Sequence, residues 1–74
     1  MLYKQEELSS AVDKIKTLIE SMELDVSIFE IDIRESDNSI RVAAYTDNGG
    51  CMVRLFGDKD ISRLEREIRE LFKL

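Results

Sequence analysis

The chain has no histidine, no proline and no tryptophan, one cysteine, and three glycines in 74 residues. Each shortage removes a class of chemistry. Without histidine there is no side chain whose ordinary pKa lies near neutrality, and neither a Ser-His nor a Cys-His dyad can form. A single cysteine makes no internal disulfide, and alone it builds none of the usual zinc ligand sets. Gly49, Gly50 and Gly57 do not make a phosphate-cradling loop. No apolar run approaches the roughly 20 residues of a membrane span, and there is no signal-peptide pattern. Catalysis would fall to carboxylates, arginines or the thiol, in a chain with little room for a deep pocket. The expectation is therefore a cytoplasmic protein that is not an enzyme, carries no metal or other cofactor, and has no membrane partner.

What is present is charge and a modest apolar content. Charged residues make up 36% and hydrophobic residues 43%, a globular balance that predicts one domain over residues 1–74. A chain this short buries only about 60% of its unfolded surface. Its core must gain support from tight packing, a partner or a second copy. The net charge of -5 is uneven. Residues 1–37 carry ten acids and four bases, whereas residues 38–74 carry six acids and seven bases. An acidic first half repels nucleic acid or simply keeps the chain in solution.

Apolar periodicity predicts a helix over residues 5–23, with Leu8, Ala11, Val12, Ile15, Leu18, Ile19 and Met22 on one stripe. Residues 26–35 alternate, with Phe29, Ile31 and Ile33 on one side and Glu30, Asp32 and Arg34 on the other. Ile28 falls on the polar side, which suggests a bulge or cover from a helix end. Residues 39–46 and 51–56 predict two further strands. Asp37-Asn38 and Asn48-Gly49 read as two-residue turns, the second with the two positive φ angles of a type I′ hairpin. Those turns set Ile33 against Val42, Ile31 against Ala44, Ala44 against Val53 and Val42 against Leu55, so all fall on one apolar face. Asp58 reads as the N-cap of a last helix with Ile61, Leu64, Ile68, Leu71 and Phe72 inward. Arg63 with Glu67, Glu65 with Arg69, and Arg66 with Glu70 are i,i+4 pairs on its solvent face. The fold class is α+β: a two-layer sandwich in α-β-β-β-α order, a three-stranded antiparallel meander with both helices on one face.

The uncovered face is the candidate site. Its expected rows are Glu30-Tyr45-Met52, Asp32-Ala43-Arg54 and Arg34-Arg41-Phe56. Tyr45, Met52 and Phe56 are residue types enriched at interface cores. Arg34 facing Arg41, with Arg54 beside them, would repel unless a carboxylate or a bound anion intervened. The third strand, with one charge in residues 51–56, offers a poorly guarded edge suited to strand addition. Cys51 falls on the core face as a small apolar group. The element order resembles that of the double-stranded RNA-binding domain. However, Ser36-Asp37-Asn38-Ser39 stands where that family carries a glycine, proline and histidine motif, and Asp58 to Arg63 where it carries clustered lysines. The order also resembles the beginning of type III secretion chaperones, which are acidic dimers with further elements that this chain lacks. The reading is a small acidic interaction or regulatory module that forms a homodimer and binds a protein partner. The alternative is an anion or nucleic-acid binder using the three arginines, although the acidic first helix argues against nucleic acid.

Overall fold

A computed structural model describes residues 3–24, 28–47 and 49–73. Helix α1 covers Leu8–Ser21, strands β1, β2 and β3 cover Ile28–Arg34, Ser39–Thr46 and Gly49–Leu55, and helix α2 covers Ile61–Phe72. The order is the expected α-β-β-β-α, and the sheet is an antiparallel meander, β1-β2-β3. Val26, expected to open the first strand, lies outside the described residues.

The helix ends depart from expectation for local reasons. A single 3₁₀ turn, Gln5–Glu7, precedes α1, and the Lys4 backbone N–H donates to Glu7 Oε1 at 2.9 Å. The Glu7 carboxylate thus satisfies one of the amides that a helix start leaves open. The α-helix ends at Ser21, and Glu23 takes a left-handed φ of 49° that stops its continuation. At the other helix Asp58 is not the N-cap. Asp58–Asp60 is itself a 3₁₀ turn, and Asp60 reaches back so that its Oδ2 accepts the Phe56 N–H at 2.7 Å. Asp58 turns instead toward α1, where Lys14 Nζ donates to its Oδ2 at 2.9 Å. Of the three i,i+4 pairs expected on α2, Glu65–Arg69 closes, at 3.5 Å.

The sheet keeps the expected faces and changes the rungs. Ile31 faces Val42, Ile33 faces Ile40, and Phe29 faces Ala44. Val42 in turn faces Val53, Ala44 faces Cys51, and Ile40 faces Leu55. Both hairpins are displaced by two positions from the expected pairing. The first loop is four residues, 35–38, between Arg34 and Ser39. Asp37 organises it: Oδ1 accepts the Ser39 N–H at 3.1 Å, and the carboxylate holds the Arg34 guanidinium, while Asn38 takes a φ of 53°. At the second hairpin Thr46 pairs with Gly49, which leaves residues 47–48 as the connection. Gly49 therefore belongs to β3 rather than to a type I′ turn, and Asn48 lies outside the described residues.

Both helices lie on the face formed by Phe29, Ile31, Ile40, Val42, Val53 and Leu55. Ile15 of α1 and Leu64 and Ile68 of α2 are buried against it, with Leu8, Ala11 and Tyr3 completing the cluster. Phe72 stacks on Phe29 with ring centroids 6.4 Å apart, bringing the end of α2 over β1. Ile33, expected in the core, is 45% exposed. It lies beside α1 in a groove of about 760 Å³ that Leu8, Val12, Lys16 and Glu35 also line. No helix among the described residues is long and apolar enough to cross a membrane.

Candidate functional site

Strand parity puts Ile28, Glu30, Asp32 and Arg34 of β1, Ser39, Arg41, Ala43 and Tyr45 of β2, and Gly50, Met52 and Arg54 of β3 on the face opposite the helices. The observed rows are Ile28-Tyr45-Gly50, Glu30-Ala43-Met52 and Asp32-Arg41-Arg54. Four of the six expected site residues, Arg41, Tyr45, Met52 and Arg54, share this face as neighbours. Arg34 lies at its corner, opposite Ser39. Phe56 falls one residue beyond β3 and is half-buried, in a groove that Met52 also lines and Tyr45 does not.

The face divides into an apolar end and a charged end. At the apolar end Ile28 is 67% exposed, Met52 58% and Tyr45 43%. The Tyr45 ring leans over Gly50: a Cβ built on that glycine would lie 3.0 Å from the ring. The missing Gly50 side chain therefore accommodates the aromatic ring, and Ile28 on the other flank of Tyr45 stands open. Ala43 in the middle row is fully buried among its larger register neighbours.

At the charged end Arg41 does not face Arg34. It faces Asp32, whose Oδ2 accepts from both Nε and Nη2 of Arg41, and Glu30 Oε2 lies 3.8 Å from Nη2. The two-residue displacement of the hairpin thus replaces an expected like-charge contact by a cross-strand ion pair. Arg34 is held by Asp37 in the adjacent loop. The Arg34 guanidinium, followed by the hydrogen bond from Ser39, keeps the Asp37 carboxyl well below the usual carboxylate range. Arg54 differs: its Nη1 donates to the buried Ser39 hydroxyl at 3.1 Å, and among the described residues it has no carboxylate partner.

The β3 edge is better guarded than its composition suggests. Arg63 Nη2 of α2 donates to the Arg54 carbonyl at 2.6 Å, closing one backbone acceptor that an added strand would need. Beside it Met52, Phe56, Arg63 and Glu67 line a shallow groove of about 310 Å³. Cys51 is half-buried on the helix side, and burial, with Glu67 adding, raises its thiol pKa, which leaves it a poor nucleophile. Among the described residues no group of three or more His, Cys, Asp or Glu is placed to hold a metal ion.

Ile28 is the site residue that the sequence put on the correct side but under an expected bulge or helix cover. No bulge interrupts β1 there, because Ile28 pairs with Tyr45 in continuous register. Alternation with Glu30 and Asp32 puts it on the polar side, and there it stands exposed on the open face. The role of Ser39 was not legible, since it depends on Arg54 folding back across the hairpin. No protein-family model, no curated protein and no solved structure matches the chain.

Proposed function

We propose that this chain is a small non-catalytic interaction module that associates through its open sheet face, with a second copy as its first partner. The observation that carries the reading is the contiguous exposed patch of Ile28, Tyr45 and Met52 on the sheet face that no helix covers. Single exposed apolar side chains are ordinary, whereas three adjacent ones on a flat face favour a protein contact. A core of this size also gains from association. Edge-to-edge pairing through β3 is the less favoured route, because Arg63 already occupies the Arg54 carbonyl. Anion or nucleic-acid binding through the arginines is the weaker reading, because Arg34 and Arg41 are neutralised by Asp37 and Asp32 within the chain.

Sedimentation equilibrium over about 1 to 100 μM tests the reading, a range matched to modest interfaces. The parent should dimerise within it. Met52→Glu should weaken the dimer at least tenfold, about 1.4 kcal/mol, while its urea midpoint at the lowest concentration stays near that of the parent. A parent that is monomeric throughout removes self-association from the reading.

A further inference from the structure

The open face carries a pattern that is self-complementary under one particular two-fold axis. Consider two copies stacked face to face, related by an axis parallel to the strands and passing between the two β2 strands. That operation lays β1 of each copy over β3 of the other and each row over its own counterpart. The row Asp32-Arg41-Arg54 then sets Asp32 over Arg54 of the second copy, twice. The row Ile28-Tyr45-Gly50 sets Ile28 over the Tyr45 ring where that ring leans across Gly50. The middle row sets Glu30 of each copy over Met52 of the other, with the Glu30 carboxylate beside Arg41 of its own chain. The alternative axis, across the strands through Ala43, sets Glu30 over Glu30 of the second copy and Ile28 over Asp32.

The valences of the charged row fit the first arrangement. Arg41 uses only Oδ2 of Asp32, so Oδ1 is left over, and the Asp32 side chain is 59% exposed. Arg54 spends Nη1 on Ser39 and has no carboxylate within its own chain among the described residues. Among the described residues each copy therefore holds one carboxylate oxygen on β1 without a partner and one guanidinium on β3 without a carboxylate, on the same row and on opposite flanks of the axis. Arg41 lies on the axis itself but is turned along its row into Asp32 and Glu30, so its charge is met at home. Aligned sheets pack with their strands about 30° apart. Such a rotation displaces a strand 4.8 Å from the axis by about 2.4 Å, less than the rise of one residue and within the reach of arginine.

We infer that the partner on the open face is a second copy of this chain, stacked face to face about a two-fold axis parallel to the strands, with Asp32 of each copy bound to Arg54 of the other. This rests on the open-face reading above and assigns it a partner and a geometry. Three strands and seven residues make a face of about 14 by 23 Å. That is below the size of a standard stable interface and in the range of weak, transient contacts, so the dissociation constant belongs in the micromolar range rather than below it.

A charge-exchange mixture tests the geometry. Asp32→Arg alone sets arginine over Arg54 at both contacts, and Arg54→Asp alone sets aspartate over Asp32 at both. Each variant by itself should dissociate at least tenfold more readily than the parent. An equimolar mixture restores an opposite-charge contact on both flanks and should associate as a heterodimer within about threefold of the parent. Circular dichroism of each variant checks that it is folded. A second measurement needs no substitution: isotope-filtered NOEs in a mixture of labelled and unlabelled parent should connect the Ile28 methyls to the Tyr45 ring of the other copy. A parent that dimerises and loses association in Met52→Glu, with no rescue in the mixture and no such NOEs, overturns this geometry while the open-face reading stands. A parent that stays monomeric overturns both.

Discussion

On one face of the sheet Ile40, Val42 and Leu55 are wholly buried beneath α1 and α2; on the other Ile28, Tyr45 and Met52 stand in solvent. The two faces are built from the same strands, residue by alternate residue, so backbone geometry does not distinguish them. What differs is supply. The apolar stripes of two short helices cover one side of a three-stranded sheet, and even there α1 leaves Ile33 of β1 half uncovered. The protein thus has a gradient of burial, deepest at β2 and β3 under α2, thinner at β1, and on the open face confined to Ser39 and Ala43 of the central strand. Side chains of similar size contribute to stability at one end of that gradient and are free for a partner at the other.

Truncating side chains one by one along the gradient should produce the largest and most graded effects. Ile40→Ala, at a position with no exposure, should cost about 2 to 5 kcal/mol of unfolding free energy. Ile31→Ala, half-buried on β1, should fall below that range, and Ile33→Ala at the groove should cost about 1 kcal/mol or less. Met52→Ala on the open face should change the monomer by less than about 0.5 kcal/mol. Urea melts at the lowest workable concentration measure all four. A loss under about 1 kcal/mol for Ile40→Ala would mean that the covered face is not the core.

The gradient also separates what could be read in the sequence from what could not. Side-chain alternation assigns a residue to a face, and a slip of two residues preserves that assignment. Ile31, Val42 and Val53 were therefore legible as one face whichever rung they shared. The rung itself is set by loop length, and apolar residues opposite apolar residues do not distinguish one rung from the next. Asp37 decides it by accepting the Ser39 N–H and clasping Arg34, which makes a four-residue loop where a two-residue one was expected. Membership of the candidate site followed from parity for Arg41, Tyr45, Met52 and Arg54, but their pairing depended on the rung. That is why Arg41 meets Asp32 instead of Arg34. Capping failed as a guide for a related reason: Asp58 and Asp60 are equally good caps by composition, and the nearby Lys14 draws Asp58 away.

Acid should act on the ion pairs that anchor these tertiary choices. The Lys14 ammonium lowers the pKa of Asp58, and Arg34 and then Ser39 lower that of Asp37. A carboxylate whose folded pKa lies below its unfolded value contributes stability that is complete above the unfolded pKa and is lost as pH falls through the folded one. The loss should therefore begin near pH 4 and deepen below it, with an effect smaller than that of Ile40→Ala because both pairs are exposed at the surface. Urea midpoints from pH 7 to pH 2 follow it. Asp37→Asn with Asp58→Asn should flatten the acid limb, and an unchanged limb would mean that other carboxylates govern it.

The smallest expected effect tests the covered side from within, at the one side-chain polar atom among the described residues that is buried without a hydrogen-bond partner. Tyr3 is a member of the core cluster, and its hydroxyl is buried beside Asp58 with no hydrogen bond of ordinary geometry. Burial first, and then the neighbouring carboxylate, pushes its phenol pKa well above the usual value. A buried hydroxyl that leaves water without a good bond gains nothing for the fold, so Tyr3→Phe should leave stability unchanged or raise it by up to about 1 kcal/mol. The alkaline limb gives an independent check. A raised folded pKa contributes stability that is complete below the unfolded value of 10.0 and is lost as pH rises toward the folded one. The parent should therefore lose stability above pH 10, and Tyr3→Phe should lose less. A destabilisation of more than about 1 kcal/mol at neutral pH would show instead that the hydroxyl and Asp58 share a working hydrogen bond. The N-terminal segment would then be tied to the α2 entrance by that bond as well as by the packing of the Tyr3 ring.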